Sequence, residues 1–227
     1  MHEEILSWNE MCGREGRNLQ AGMHFRSGGS YSVLLMSTRK NAPYPDAMAE
    51  GGTVLIYVGH DAPRKNGNDT ALVDQPRYLP KGGLTQNGKF HEAAQAHKQG
   101  NRAAERVRVY EKLRDGLWAD NGWFLLVDSW QEDDGVRLVF KFKLVAVDDP
   151  LSVADESYVA ERRRMIPPAV KLAVWKRDSG RCVQCGSTEN LHFDHIIPWS
   201  RGGASDTAEN VQLLCGRHNI QKGSRIE

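Results

Sequence analysis

The chain has 227 residues, 40% of them hydrophobic, and its 30 lysines and arginines nearly balance its 29 aspartates and glutamates. This is the composition of an ordinary soluble protein, long enough for one large core or two modest ones. No apolar run approaches the roughly 20 residues that span a bilayer, and the start MHEEILSWNE lacks the features of a signal peptide. We therefore expect a cytoplasmic protein without a membrane partner.

After a polar, glycine-containing start, the first part of the chain carries several strand-like patterns. β-Branched and aromatic residues bounded by glycines mark residues 30–37 and 51–59. Apolar and charged residues alternate over 106–110, and the turn sequence QEDDG separates two further strand-like runs, as in a hairpin. The segment GKFHEAAQAHKQG reads as a short helix that ends at Gly100. We predict a curved, largely antiparallel sheet or barrel with few helices.

A change in composition marks a boundary after this sheet. Residues 151–167 are acidic, then basic, and end in two prolines, which is typical of a linker. Pro168 and Gly180 then stand where a helix begins and ends. We therefore predict an α+β protein with one domain over residues 1–150 and a smaller one over 168–227.

Three of the four cysteines lie in the smaller domain. Cys182 and Cys185 form one pair with a two-residue gap, and Cys215 and His218 form another. Such gaps let both side chains of a turn reach one ion, and zinc prefers tetrahedral sulfur and nitrogen ligands. In a reducing cytoplasm this spacing favours a metal over a disulfide. We predict a closed, structural Zn²⁺ site and interpret Cys12 as a bystander thiol.

The stretches LHFDHIIPWSRGG, AENVQLLC and HNIQKG lie between and after these two pairs. Their order over roughly residues 168–226 resembles the HNH nuclease family, which has the ββα-metal fold. The resemblance implies that His195 is the general base, that Asp194 and Asn219 bind a catalytic cation, and that Asn210 steadies the active site. In an alternative register His218 is the catalytic ligand, which would leave the zinc with three protein ligands.

Phosphodiester hydrolysis supplies a chemical reason for these residue types. It needs an activated water and neutralisation of charge on the leaving oxygen. A histidine with a pKa near ~6.5 can accept the proton of that water, and oxygen ligands suit Mg²⁺, with Mn²⁺ as a second possibility. Lys222 and Arg201 would contact phosphates, with ordinary exposed surface cations as the alternative. The competing interpretations are a satisfied core histidine at the Asp-His pair and a zinc module without catalysis.

The segment from GGSYSVLLMS to IYVGHDA, followed by GLTQNGKFHEAA, resembles the SRA (SET and RING associated) family, which has a PUA-like barrel. Members of that family flip a modified cytosine out of the duplex. The resemblance implies that Tyr44 and Tyr57 sandwich the base and that Asp46 reads its edge. Asp46 stands two residues after Tyr44, whereas the family acid often stands three residues after its tyrosine. For Tyr57 the alternative is an ordinary core position on a strand.

Positive charge accumulates over residues 76–114, which hold nine lysines and arginines against three acids. Such a segment would attract a phosphate backbone, although a solvated surface is the alternative. The residues expected to contact DNA here are Arg77, Lys81, Lys89, Arg102 and Arg106.

An SRA-like reader joined to an HNH nuclease resembles the modification-dependent restriction endonucleases of prokaryotes. This implies cleavage of double-stranded DNA that carries 5-methylcytosine or a related modified cytosine, in defence against phage and other foreign DNA. One HNH site cuts one strand, so a double-strand break implies a homodimer. Two alternatives stay open: an HNH nuclease without modified-base specificity, and a non-catalytic reader of modified DNA.

Overall fold

The computed structural model describes residues 3–26, 29–39, 42, 44–63, 69–147 and 165–226. Within them lie ten strands, β1 (Glu3–Ser7), β2 (Met23–His24), β3 (Ser32–Met36), β4 (Ala47–Ala49), β5 (Val54–Val58), β6 (Glu105–Arg114), β7 (Leu117–Asp133), β8 (Leu138–Val147), β9 (Leu191–His195) and β10 (Val211–Cys215). The helices are α1 (Trp8–Glu15), α2 (Gln86–Lys98), α3 (Pro168–Arg177) and α4 (Gly216–Lys222). This mixture confirms the predicted α+β class. Among these helices none is long and apolar enough to cross a membrane.

Strands β2 to β8 form the N-terminal sheet. The 17-residue β7 pairs with β6 along its first part and with β8 along its last part. β8 continues to β5 and β4, while β6 continues to β3 through a parallel pair and then to β2. Register shifts at Arg108/Tyr110 and Leu126/Asp128 mark irregularities that bend the sheet. The predicted curved, largely antiparallel sheet is therefore present.

Helix α2 covers one face of the N-terminal sheet. Thr85 caps its first turn, since its hydroxyl accepts from Gly88 N at 3.1 Å. Phe90, Ala93 and Ala94 are buried and join the sheet side chains in one core cluster. The sequence therefore predicted this helix correctly to within two residues at each end.

The start of the chain forms β1 and α1, although its polar pattern predicts neither element. A capping box fixes the junction, because Ser7 N donates to Glu10 Oε2 at 2.8 Å and Glu10 N donates to Ser7 Oγ at 3.3 Å. β1 pairs with β7 on one side and with β9 on the other. A single sheet thus runs through both predicted domains. The predicted boundaries at 150 and 168 stay predictions, and residues 148–164 of the linker region lie outside the described residues.

Helices α3 and α4 with β9 and β10 form the C-terminal module. β9 and β10 pair antiparallel, with Asp194 opposite Gln212. The module packs on β1, β6 and β7, because Ile5, Leu113 and Ala119 belong to its core cluster. The module and the N-terminal sheet therefore share apolar surface as well as a strand.

A fully buried lysine ties α3 to that sheet. Lys171 Nζ lies 2.6 Å from a carboxylate oxygen of Glu3 and 2.8 Å from one of Glu111. It also donates to Asn121 Oδ1 at 2.8 Å. Burial alone would lower the pKa of Lys171, but the two carboxylates raise it, so the ammonium stays charged.

Candidate nuclease site and base pocket

Four side chains of the C-terminal module lie close enough to share one ion. The ligand atoms of Cys182, Cys185, Cys215 and His218 all lie within 4.8 Å of one another, the one such cluster in the described part of the chain. Cys185 Sγ lies 3.8 Å from Cys215 Sγ, and His218 Nδ1 lies 3.3 Å from Cys182 Sγ. Tetrahedral ligands at Zn–S distances of about 2.3 Å would be roughly 3.8 Å apart. The cluster therefore fits one closed metal site.

Local turns bring these four ligands together. Gly186, with a positive φ of 74°, donates to Cys182 O at 2.8 Å and closes the first turn. Cys215 ends β10, and His218 lies in the first turn of α4. Burial opposes ionisation of the Cys182 thiol, but surrounding backbone N–H groups and His218 outweigh it and lower the pKa of Cys182 to about 6. A thiolate is the form that binds zinc.

Asp194 and His195 end β9, the strand that pairs with β10. Asp194 is buried, and its Oδ2 lies 2.9 Å from Lys222 Nζ. Lys222 Nζ also donates to His195 O at 2.7 Å. Because the Lys222 side chain is buried in these contacts, our prediction that it contacts a DNA phosphate is wrong in this structure. The ammonium instead neutralises a buried carboxylate.

Asn219 lies on α4, three residues before Lys222. It is 2% exposed, and its Oδ1 has no hydrogen-bond partner among the described residues. An unsatisfied buried oxygen costs about 1–3 kcal/mol, so it needs a compensating ligand. Amide and carboxylate oxygens are the donors that Mg²⁺ and Mn²⁺ prefer. The donor chemistry of Asp194 and Asn219 therefore suits a divalent cation, and a catalytic role for such a cation stays a prediction.

The imidazole of His195 meets a residue that the sequence analysis missed. His195 Nε2 lies 2.9 Å from Ser205 Oγ, and Ser205 is buried. The nine intervening residues form a loop without a fixed period, so no spacing could have indicated this partner. Ser205 restricts rotation of the imidazole.

Asn210 closes the loop that carries Ser205. Asn210 Oδ1 accepts from Ile197 N at 2.8 Å, and its Nδ2 donates to Ala204 O at 2.8 Å. Gly203 makes the loop tight, because a Cβ there would lie 1.8 Å from Ile197 O. Asn210 thus holds this loop together, and its role in steadying the active site stays a prediction. His192 lies apart, with its Nε2 3.0 Å from Asn190 Oδ1.

In the N-terminal sheet, Asp46 lies immediately before β4. Its carboxylate accepts from Ser37 N at 3.0 Å and from Val58 N at 2.9 Å, at the ends of β3 and β5. The residue is partly exposed, but its carboxyl lies deep enough that burial raises the pKa of Asp46 to about 7 against the effect of these N–H groups. The predicted base-reading acid is thus held in a fixed orientation.

The two predicted sandwich tyrosines have different environments. Tyr57 is 1% exposed and belongs to the core of the N-terminal sheet. Tyr44 is partly exposed and stacks on His60, with ring centroids 5.0 Å apart and planes 13° from parallel. The Tyr57 hydroxyl lies 2.9 Å from His60 Nε2. The structure therefore brings Tyr44 and Tyr57 to the same histidine, which the sequence analysis did not assign.

The predicted DNA-contacting residues differ in how far other groups already engage them. Arg77 lies 3.5 Å from Glu92, Arg102 pairs with the buried Glu105 at 2.9 Å, and Arg106 donates to Ser30 O at 3.4 Å. Lys81 is exposed and Lys89 partly exposed, and neither has a charged partner within the described ranges. Their contact with DNA stays a prediction, as does that of the exposed Arg201.

A cavity of about 470 Å³ lies where the N-terminal sheet faces the C-terminal module. Asp46 and the residues of β4 line it together with Met165 and Ser205. Asp46 and Ser205, whose hydroxyl contacts His195, therefore border the same cavity.

These contacts define a ββα module with a cluster of four candidate metal ligands and an Asp-His pair. The sequence profile of the HNH endonuclease family matches residues 182–225, which include both. The C-terminal module is therefore an HNH endonuclease domain. No curated protein gives a significant match to the chain.

Several solved structures resemble the chain. The SRA domain of SUVH5 in complex with hemimethylated CG DNA has a TM-score of 0.43 at 23% identity, over 63% of this chain and 85% of that chain. The modification-dependent TagI restriction endonuclease has a TM-score of 0.44 at 18% identity, over 97% and 76%. The Type IV phosphorothioation-dependent restriction endonuclease ScoMcrA has a TM-score of 0.44 at 16% identity, over 99% and 55%.

Proposed function

We propose that this protein is a modification-dependent DNA endonuclease. Its N-terminal sheet would recognise 5-methylcytosine or a related modified cytosine in double-stranded DNA, and its HNH domain would hydrolyse a phosphodiester bond. The observation that carries the nuclease part is the unpartnered, buried Asn219 Oδ1 in the same domain as the Asp194–His195 pair. An enzyme that binds a cation there would satisfy an atom that the fold alone leaves unsatisfied.

Each residue of the candidate nuclease site has a role in this proposal. His195 accepts the proton of the attacking water, and Ser205 and Asn210 hold its ring and loop in place. Asp194 and Asn219 would hold Mg²⁺ or Mn²⁺, which when bound would neutralise charge at the phosphate and the leaving oxygen. The Cys₃His cluster would hold Zn²⁺ with all four positions filled by protein, so its role is structural.

The reader part of the proposal rests on the resemblance to the SRA family and on the placement of Asp46. A flipped base loses stacking and pairing worth a few kcal/mol, which aromatic stacking and hydrogen bonds in a pocket can offset. The Asp46 carboxyl, fixed by two backbone N–H groups, would accept from the exocyclic amino group of cytosine. Tyr44 would cover the base, and the exposed Lys81 and the partly exposed Lys89 would contact the phosphates.

A prokaryotic cytoplasm would suit this function, because reduced thiols favour a filled zinc site and foreign DNA enters there. A double-strand break would need two HNH sites, and we therefore propose a homodimer on DNA.

Cleavage of matched duplexes tests the proposal. One duplex carries a single 5-methylcytosine and the other is unmodified, and each is incubated with Mg²⁺ or Mn²⁺. We expect the wild type to cut the modified duplex selectively, His195→Ala to lose cutting, and the control His192→Ala to keep it. Losses on removing a general base are typically 100-fold or more.

Other outcomes would point to the alternatives. Equal cutting of both duplexes would retain the nuclease and discard the modified-base reader. Selective binding without cutting under any divalent ion would favour a non-catalytic reader. Cutting by His195→Ala at the wild-type rate would overturn the assigned active site.

A further inference from the structure

The environment of Tyr57 leaves no ring face for a base. Its side chain is 1% exposed and packs within the apolar core of the N-terminal sheet. Its hydroxyl donates to Gly22 O at 3.1 Å or Leu35 O at 3.3 Å, and a hydroxyl has one hydrogen to give. His60 Nε2 lies 2.9 Å from the same hydroxyl, within hydrogen-bond distance. Tyr57 thus serves as a buried anchor for the histidine ring.

His60 is fixed at three points. Its N donates to Asn87 Oδ1 at 2.9 Å, and its O accepts from Asn87 Nδ2 at 2.8 Å. The Tyr57 hydroxyl holds the imidazole. Gly22 packs against the same ring so closely that a Cβ there would lie 2.6 Å from it. The ring therefore has little freedom to swing away from this position.

One face of the fixed imidazole stacks on Tyr44. The two rings are nearly parallel, at 13°, with centroids 5.0 Å apart. Tyr44 lies in the loop before β4, where its hydroxyl accepts from Asp61 N at 3.2 Å. A ring placed between two others needs them roughly 7 Å apart, since carbon atoms pack at about 3.5 Å. An outward shift of Tyr44 by roughly one ring thickness, about 3.5 Å, would open such a slot.

We propose that His60, and not Tyr57, supplies the fixed ring on which the flipped base stacks, with Tyr44 closing over its other face. His60 is thus a specificity-determining residue of the base pocket, and this inference rests on the proposed reader function. Burial lowers the pKa of His60 to about 4, so the ring is neutral at physiological pH and would stack as an aromatic surface without adding charge. The carboxyl of Asp46, two residues after Tyr44 in the chain, would supply the hydrogen bond to the base.

Binding of the full chain to the two matched duplexes tests this assignment. The probes are fluorescently labelled duplexes with and without one 5-methylcytosine, in Ca²⁺ or without divalent ion so that no cutting occurs. His60→Ala should weaken binding of the modified duplex about tenfold, since stacking on one aromatic ring is typically worth that much. Binding of the unmodified duplex should not change. His60→Phe should keep most of the preference, and the control His192→Ala should behave as wild type.

The outcomes separate this inference from the proposed function. If the wild type binds the modified and unmodified duplexes equally, the proposed reader function is wrong, and the stacking role of His60 is wrong with it. If the wild type discriminates and His60→Ala discriminates equally well, the stacking role is wrong. Tighter binding of the modified duplex by His60→Ala would also overturn it, because the ring would then obstruct the slot. Thermal melts of both variants distinguish a lost contact from a lost fold, and a folded His60→Phe that retains preference supports the assignment.

Discussion

In the C-terminal module, the metal ligands come from two pairs of residues that are each three positions apart in the chain, and Asp194 and His195 are neighbours. In the N-terminal sheet, the Tyr57 hydroxyl meets Gly22, Leu35 and His60, which are 35, 22 and 3 residues away. The first region builds its site from local turns, and the second builds it from distant strands. Short spacing makes the candidate nuclease site predictable from sequence, whereas the proposed base pocket depends on how the sheet curves.

The two regions also differ in what stabilises them. The N-terminal sheet has a large apolar core around Phe90, Phe124 and Phe142. The C-terminal module is small, and part of its core is completed by β1 and by β6 and β7 of the N-terminal sheet. A domain of this size usually needs a stabilising metal site or cross-link, and a metal bound by the Cys₃His cluster would supply it. Removing metal should therefore affect the two regions unequally.

Removal of zinc should produce the largest effect. Structural zinc contributes about 10–16 kcal/mol of apparent binding free energy, so chelation or Cys185→Ser should unfold the C-terminal module while the N-terminal sheet persists. Hydrogen exchange should show loss of protection in β9, β10 and α4 and retention in β6 to β8. Cys12→Ser, which changes the thiol outside the cluster, should keep one zinc per chain. If β9 and β10 stay protected from hydrogen exchange in protein shown to be free of zinc, the expected structural role of zinc is wrong.

Loss of the Lys171 ammonium should have the next largest effect. Lys171→Met leaves the buried carboxylates of Glu3 and Glu111 without their cation, which typically costs about 3–5 kcal/mol. Urea unfolding should show this loss, while Lys176→Met on the exposed side of α3 should cost less than about 1 kcal/mol. Adding Glu111→Gln to Lys171→Met should recover part of the stability, since it removes one of the unpaired charges. If Lys171→Met and Lys176→Met prove equally stable, the ion pairs of Lys171 with Glu3 and Glu111 do not stabilise the contact between the two regions.

Local sequence patterns predicted most of the sheet and all four residues of the candidate zinc site. Strand periodicity identified β3, β5, β7 and β8, and glycine and proline positions identified α2 and α3. The strand ends differ by a few residues, and β6 and β7 are longer than predicted, because pairing with neighbours extends strands through residues of weak propensity. The α+β class follows from local pattern alone.

What the sequence did not predict depends on tertiary contacts. β1 is short, and its place between β7 and β9 is a property of the assembled sheet. The motif Ser7-x-x-Glu10 was a readable signal for α1, since it forms a capping box. Lys222 looked like a surface cation because nothing in its neighbours indicates that it pairs with Asp194 across the module. His60 and Ser205 likewise acquire their roles from residues that lie elsewhere in the chain.

Removal of the Ser205 hydroxyl should have the smallest effect, and it tests whether the loop held by Asn210 belongs to the nuclease site. Loss of one neutral hydrogen bond is worth about 0.5–1.5 kcal/mol, so Ser205→Ala should slow single-turnover cleavage about threefold to tenfold without changing the Kd for modified DNA. Ser205→Thr keeps a hydroxyl and should restore most of the rate, while the exposed Ser224→Ala should cleave as wild type. A rate unaffected by Ser205→Ala would remove this residue from the site. A changed Kd would instead mean that Ser205 acts through the cavity that it shares with Asp46, and hence on the N-terminal sheet as well as on His195.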